Sequence, residues 1–139
     1  MNHQEIIDRI TSTWTDFRNL IAAVPEDVAL ESVPPGAWNT RDIAGHVAWW
    51  ERKAADEIAG LLSIPGNETL DERNAREHTR ISQLTYAEAI ALLDESHEHL
   101  MKIVREHPEV KQAQVEGDTW EHFQDHGTDI RNWLNTRTS

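Results

Sequence analysis

The chain has 139 residues and a formal net charge of −12, with 25 Asp and Glu against 13 Lys and Arg. This length predicts one compact domain over residues 1–139. A mean hydropathy of −0.65, with no apolar run near about 18 residues, excludes a membrane-spanning helix. The acidic surface repels phosphate, which argues against nucleic acid as a partner. The absence of cysteine excludes disulfides and thiolate metal sites.

The residues after Met1 are Asn, His, Gln and Glu, so no basic and apolar secretory leader is visible. The sequence is therefore predicted to belong to a soluble, cytoplasmic protein without nucleic-acid or membrane partners.

Four long segments repeat apolar residues every three or four positions, which predicts amphipathic helices. Their predicted bounds are about Gln4 to Val24, Asn39 to near Ser63, Thr85 to His107, and Asp118 to about Thr136. Each of the last three opens with a capping residue followed three positions later by a carboxylate. The charged connection 68–84, with a short helix around Asp71–His78, is long enough to cross the molecule. The sequence thus predicts an all-α fold, a four-helix bundle with a long crossover between helices 2 and 3.

The last predicted helix carries two histidines on its apolar face. His122 and His126 share an arc of roughly 120° with Phe123, Ile130 and Trp133. Residues four apart on a helix project side by side, roughly 6 Å apart at Cβ, which allows two imidazoles to bind one cation. Burying two unpaired imidazoles in an apolar core is unfavourable, because each ring has a donor and an acceptor that need partners.

A third histidine, His46, lies on the inner stripe of the second helix, about two turns after its start. If both helices begin at the same end of the bundle, the three rings lie at the same height along the bundle axis. Three neutral imidazoles with open coordination positions are typical of a catalytic metal centre. They suit zinc, nickel, copper or iron(II), zinc and nickel being favoured, and argue against magnesium and calcium. The alternative is that all three are ordinary core histidines with hydrogen-bond partners.

Other residues leave two interpretations open. His97 lies in the apolar arc of the third helix, where a backbone or carboxylate partner is favoured over metal ligation. Asp129 borders His122 and either orients a ligand ring or forms a surface salt bridge, for instance to Arg131. Four tryptophans bracket the level of the histidines and either wall an apolar pocket or simply fill the core: Trp38, Trp49, Trp50 and Trp120.

Two segments resemble the DinB-like superfamily of four-helix-bundle metalloenzymes, which is related to the YfiT-like proteins. Residues 34–51, PPGAWNTRDIAGHVAWWE, are similar to that family's turn and second helix, which carries one metal histidine. Residues 119–133, TWEHFQDHGTDIRNW, are similar to its fourth helix with paired histidines. The stretch Asp71 to Asn74 in the crossover also looks like that of many members.

The resemblance implies that His46, His122 and His126 are metal ligands, and that the protein is a homodimer. It also implies a metal that activates water or a low-molecular-weight thiol against a small electrophile, as in thiol S-transferases, isomerases or hydrolases. No general base is singled out; the nearby carboxylates are those of Asp42, Glu121, Asp125 and Asp129. The alternative function is a non-catalytic bundle that binds an apolar small ligand or dimerises through its tryptophan-rich face.

Overall fold

The computed structural model describes residues 1–61 and 68–138. These residues form α-helices and one 3-10 turn, Glu26–Val28, with no β-strand among them. The helices are α1 (His3–Ala23), α2 (Thr40–Ala59), α3 (Leu70–Ile81), α4 (Tyr86–Glu106), α5 (Gln112–Val115) and α6 (Trp120–Thr138). The all-α prediction is confirmed. None of the described helices combines the length and the hydropathy that a membrane span requires.

The four long helices pack as two pairs. Helix α2 packs mainly against α4, and α1 mainly against α6, while α3 lies against α2 as the predicted crossover. Apolar side chains at helical spacing fill the space between the pairs, and the largest fully buried ones are Phe17, Phe123, Ile6, Ile10, Ile21, Leu93, Leu100 and Ile130. This packing brings α2 and α6, the two helices with candidate ligands, into contact.

Helix α2 begins where the sequence predicts, but it ends at Ala59, before the predicted end. The Asn39 side chain accepts from the backbone N–H of Asp42, and the Asp42 side chain accepts from the N–H of Asn39, which forms a capping box. At the other end Gly60 adopts φ 72°, a left-handed conformation that favours glycine and terminates the helix. Leu61, placed on the inner stripe by periodicity, is 71% exposed. The predicted end near Ser63 lies outside the described residues.

The start of α6 also differs from the prediction. The helix begins at Trp120 and not at Asp118. The carboxylate of Asp118 instead lies 3.6 Å from the ammonium of Lys53 on α2. The hydroxyl of Thr119 donates to the carbonyl of Val115, which ties the start of α6 to α5. Helix α5 and the 3-10 turn were not predicted, because elements this short have no measurable periodicity.

Gly45, directly before His46, lets α3 approach α2 closely. A Cβ atom at position 45 would lie 2.6 to 2.9 Å from three side-chain atoms of Ile81, which is itself buried. We therefore expect Gly45→Ala to lower the free energy of unfolding by about 1 kcal/mol. Overpacking costs about 1–3 kcal/mol, and the better helix propensity of Ala offsets about 1 kcal/mol of it. Urea denaturation measures the difference.

The matched control is the same substitution in an Ile81→Ala background. There the added methyl group has room, so only the propensity gain remains, and Gly45→Ala should stabilise the protein by up to about 1 kcal/mol. An equal effect in both backgrounds would contradict the close approach of the two helices.

Candidate metal centre

Three imidazoles meet between α2 and α6. The Nε2 atom of His122 lies 2.9 Å from Nε2 of His46 and 3.1 Å from Nε2 of His126. One ring nitrogen from each residue lies within 4.8 Å of the other two. The convergence that the sequence predicts is therefore present; that the three bind a metal stays a prediction.

Local helix structure fixes these positions. His46 is on the second turn of α2, and the capping box at Asn39 sets where that helix begins. His122 and His126 are on the first two turns of α6, one turn apart, so their rings lie side by side. His46 is 8% exposed, and the other two are partly buried. The site is thus enclosed on the α2 side.

Burial keeps the three rings neutral at pH 7. Burial, together with a smaller effect of the neighbouring histidines, lowers the pKa of His46 to about 3 and that of His122 to about 2. The pKa of His126 is also lowered by burial, while the charges of Asp129 and Asp125 act in the opposite direction. A neutral imidazole has one nitrogen lone pair available for a metal ion, so the site offers three such donors.

The donor set fits a transition metal. The Nε2 atom of His122 lies at hydrogen-bond distance from both other Nε2 atoms, although each neutral ring carries only one proton. The Nδ1 atom of His122 is buried with no hydrogen-bond partner among the described residues, so hydrogen bonds alone leave this ring unsatisfied. Three imidazoles that converge through their Nε2 atoms, without thiolate or carboxylate, are a ligand set for zinc, nickel, copper or iron(II). The group can hold a metal ion.

Two of the four candidate tryptophans contact this site. The Trp38 ring meets the His46 ring edge-on, with centroids 4.5 Å apart. The Trp50 ring lies 6.3 Å from both His46 and His122. Trp49 packs against Trp50, and Trp120 lies beneath the guanidinium of Arg9, with no ring contact to the three histidines among the described residues. The wall of the site is therefore made by Trp38 and Trp50.

The nearby carboxylates differ in what they do. Asp42 is buried and committed to the cap of α2, and it also lies 3.3 Å from Arg41 and 3.4 Å from Nε2 of His78. Asp129 forms no hydrogen bond to His122 or His126 within the described part of the chain, so the orienting role considered for it is not observed. Its charge does act on His126, as does that of Asp125.

His97 has the carboxylate partner that the sequence favours, and that partner is a residue sequence reasoning missed. Its Nδ1 lies 2.7 Å from Oε2 of Glu51, which is fully buried. The His97 ring stacks on Trp14 at 3.9 Å. A signal for Glu51 exists, since it falls between Ala48 and Ala55 on the buried face of α2. His78 likewise contacts α2 from the crossover, and it stacks on Trp38 at 5.5 Å.

Comparison with known proteins identifies the family and supports the fold. The family model of the DinB superfamily matches residues 9–134. The chain belongs to the DinB superfamily. An uncharacterised protein from Escherichia coli UTI89 has the same fold, with a TM-score of 0.82 at 10% identity over 99% of this chain and 95% of that chain.

A second solved structure, described as sibling lethal factor precursor DfsB, has a TM-score of 0.81 at 13% identity, covering 99% of this chain and 97% of that chain. At these identities both likenesses concern the fold alone. No curated protein matches the sequence.

Proposed function

We propose that this DinB-superfamily protein is a metal-dependent enzyme that acts on a small electrophilic molecule. His46, His122 and His126 would hold a divalent transition metal, zinc or nickel being favoured over iron. The observation that carries the proposal is that the Nε2 atoms of His46 and His126 both lie within hydrogen-bond distance of Nε2 of His122. A divalent metal in such a site lowers the pKa of a bound water or thiol, so that a nucleophile exists at neutral pH.

The protein's own residues prepare this site in two ways. Burial holds the histidines neutral, so metal binding does not first have to displace protons at pH 7. Trp38 and Trp50 cover the rings and exclude water from part of the site, which strengthens electrostatic interactions there. Because Asp42 is engaged in capping α2, the carboxylates left for proton transfer are those of Asp125, Asp129 and Glu121.

The resemblance to thiol-dependent enzymes supports two reaction types, S-transfer or isomerisation with a low-molecular-weight thiol, and hydrolysis. They differ in the nucleophile and share the metal. Assembly as a homodimer, implied by the same resemblance, stays a prediction, as do the cytoplasmic location and the absence of nucleic-acid and membrane partners.

The first test is metal uptake by the purified protein. After dialysis, elemental analysis and titration with zinc and nickel should give about one equivalent per chain. The metal-loaded protein should then accelerate hydrolysis of an activated ester, or its reaction with an added thiol, relative to the metal-free protein. No uptake of any transition metal would overturn the proposal.

A second candidate is the non-catalytic bundle that binds an apolar small molecule. A cleft of about 210 Å³ between α1 and α6 offers space for such a ligand; Phe17, Leu20 and Phe123 line one part of it, and polar side chains, among them Asp16 and Arg131, line the rest. This cleft is on a different face of α6 from the histidines. The two candidates are separated by the effect of removing a histidine, which is taken up in the Discussion.

A further inference from the structure

Negative charge lies on one side of the histidine trio, which consists of His46, His122 and His126. Asp129 follows His126 by one turn on the same face of α6, and Asp125 is its neighbour in the chain. Both side chains retain solvent exposure, and neither forms a hydrogen bond or ion pair within the described residues. Two unpaired carboxylates therefore lie beside His126, on the partly exposed side of the site.

The cations near the site are already paired. The ammonium of Lys53 lies 5.0 Å from the centroid of the Trp50 ring, and it is 2.6 Å from Glu57 and 3.6 Å from Asp118. Burial raises the pKa of Asp118 to about 6, so at pH 7 this carboxylate is largely ionised and Lys53 faces two anions.

Two further arginines near the α2–α3 contact are also engaged. Arg41 lies 3.3 Å from Asp42, and Arg73 lies 3.5 Å from Glu68. On α6 itself, Arg131 lines the cleft toward α1, on the other face of the helix. Among these cations Lys53, Arg41 and Arg73 each already contact a carboxylate, the Nε of Arg41 that has no partner among the described residues is buried, and Arg131 lies on the other face of α6.

We infer that the substrate of this site carries no net negative charge. The inference rests on the proposed function. With three neutral ligands, a divalent ion keeps its full charge of two and attracts any small anion. The carboxylates of Asp125 and Asp129 offset that charge, and the net charge of −12 adds a repulsive field for anions.

The test uses cobalt(II)-loaded protein, whose visible spectrum reports on ligands that bind the metal. Azide is the anionic probe and imidazole the neutral probe, each titrated at low ionic strength. In the double variant Asp125→Asn/Asp129→Asn, azide affinity should rise about tenfold, because the loss of each negative charge should raise that affinity a few-fold. Imidazole affinity should not change, and the gain for azide should shrink in about 0.5 M sodium chloride.

The matched control is Glu95→Gln/Glu98→Gln, which removes two exposed carboxylates from α4 and gives the same net charge. Its azide affinity should stay within about twofold of the original. Equal azide affinity in the original protein and the Asp variant, or an equal gain in the control, overturns the inference while the metal site stands. Failure of the original protein to bind cobalt overturns the proposed function, and the inference with it.

Discussion

Replacing His122 by alanine should abolish metal binding and leave the helical bundle folded. His122 is the central member of the trio, since its Nε2 is the atom that both other rings approach. Loss of an outer-shell partner alone lowers metal affinity about 10–100-fold, so loss of this direct ligand should lower it at least about 100-fold. Isothermal titration with zinc measures the affinity, and circular dichroism checks the fold.

The matched control for this prediction is His99→Ala, which removes an exposed histidine from α4. It should bind zinc like the original protein. Metal-free His122→Ala should remain folded, because the substitution removes a buried Nδ1 atom without a partner together with the two Nε2 contacts. If His122→Ala keeps its zinc affinity, or unfolds while the metal-free original protein is stable, the histidines serve packing and the metalloenzyme proposal fails.

Glu51→Ala should lower the free energy of unfolding more than any other substitution proposed for this protein. Glu51→Ala leaves the Nδ1 of His97 without its partner and opens a cavity in a fully buried layer. Leaving the buried Nδ1 without its partner costs about 1–3 kcal/mol, and the cavity adds to that cost, so the total should be about 3 kcal/mol or more. Urea denaturation of the two proteins at pH 7 measures the change in free energy of unfolding.

The Glu51→Gln variant shows which form of the pair is present. Burial raises the pKa of Glu51 well above its usual value and lowers the pKa of His97 to about 4. Both directions indicate a neutral pair, in which a protonated carboxyl group donates to Nδ1. Because the Gln amide can donate in the same way, Glu51→Gln should cost no more than about 1 kcal/mol. An equal loss in the Gln and Ala variants would mean that the pair is ionic.

The pH dependence supplies a second measurement. Above pH 4.5 the unfolded chain releases the Glu51 proton while the folded protein retains it, so this group's contribution to stability is lost as the pH rises. The original protein should therefore lose stability relative to Glu51→Gln between pH 5 and 8, by at most about 1.4 kcal/mol per pH unit. A constant difference over this range would contradict a raised pKa.

Much of the fold follows from local signals in the sequence. The capping boxes at Asn39 and Thr85 set the starts of α2 and α4, because they satisfy backbone donors through nearby side chains. The end of α2 was misjudged because apolar periodicity continued to Leu61, whereas the left-handed Gly60 ends the helix. The start of α6 was misjudged because Asp118 pairs with Lys53, a contact between distant parts of the chain.

The histidine trio was predictable for a different reason. Helix periodicity assigns His46, His122 and His126 to buried faces, and a bundle with both helices starting at one end brings those faces together. The pairing of Glu51 with His97 was not predictable to the same degree, because it depends on how α2 and α4 are rotated against each other. The close contact of Ile81 with Gly45 depends in the same way on the path of the crossover helix.

The arrangement of the helices gives a bound ion a mechanical role as well. Since α2 packs mainly on α4, and α1 mainly on α6, the ligands of the trio come from both halves of the molecule. A bridge from His46 to His122 would join residues 76 positions apart and tether one half to the other. Metal loading would then oppose separation of the halves and raise the melting temperature, in addition to whatever chemistry it supports.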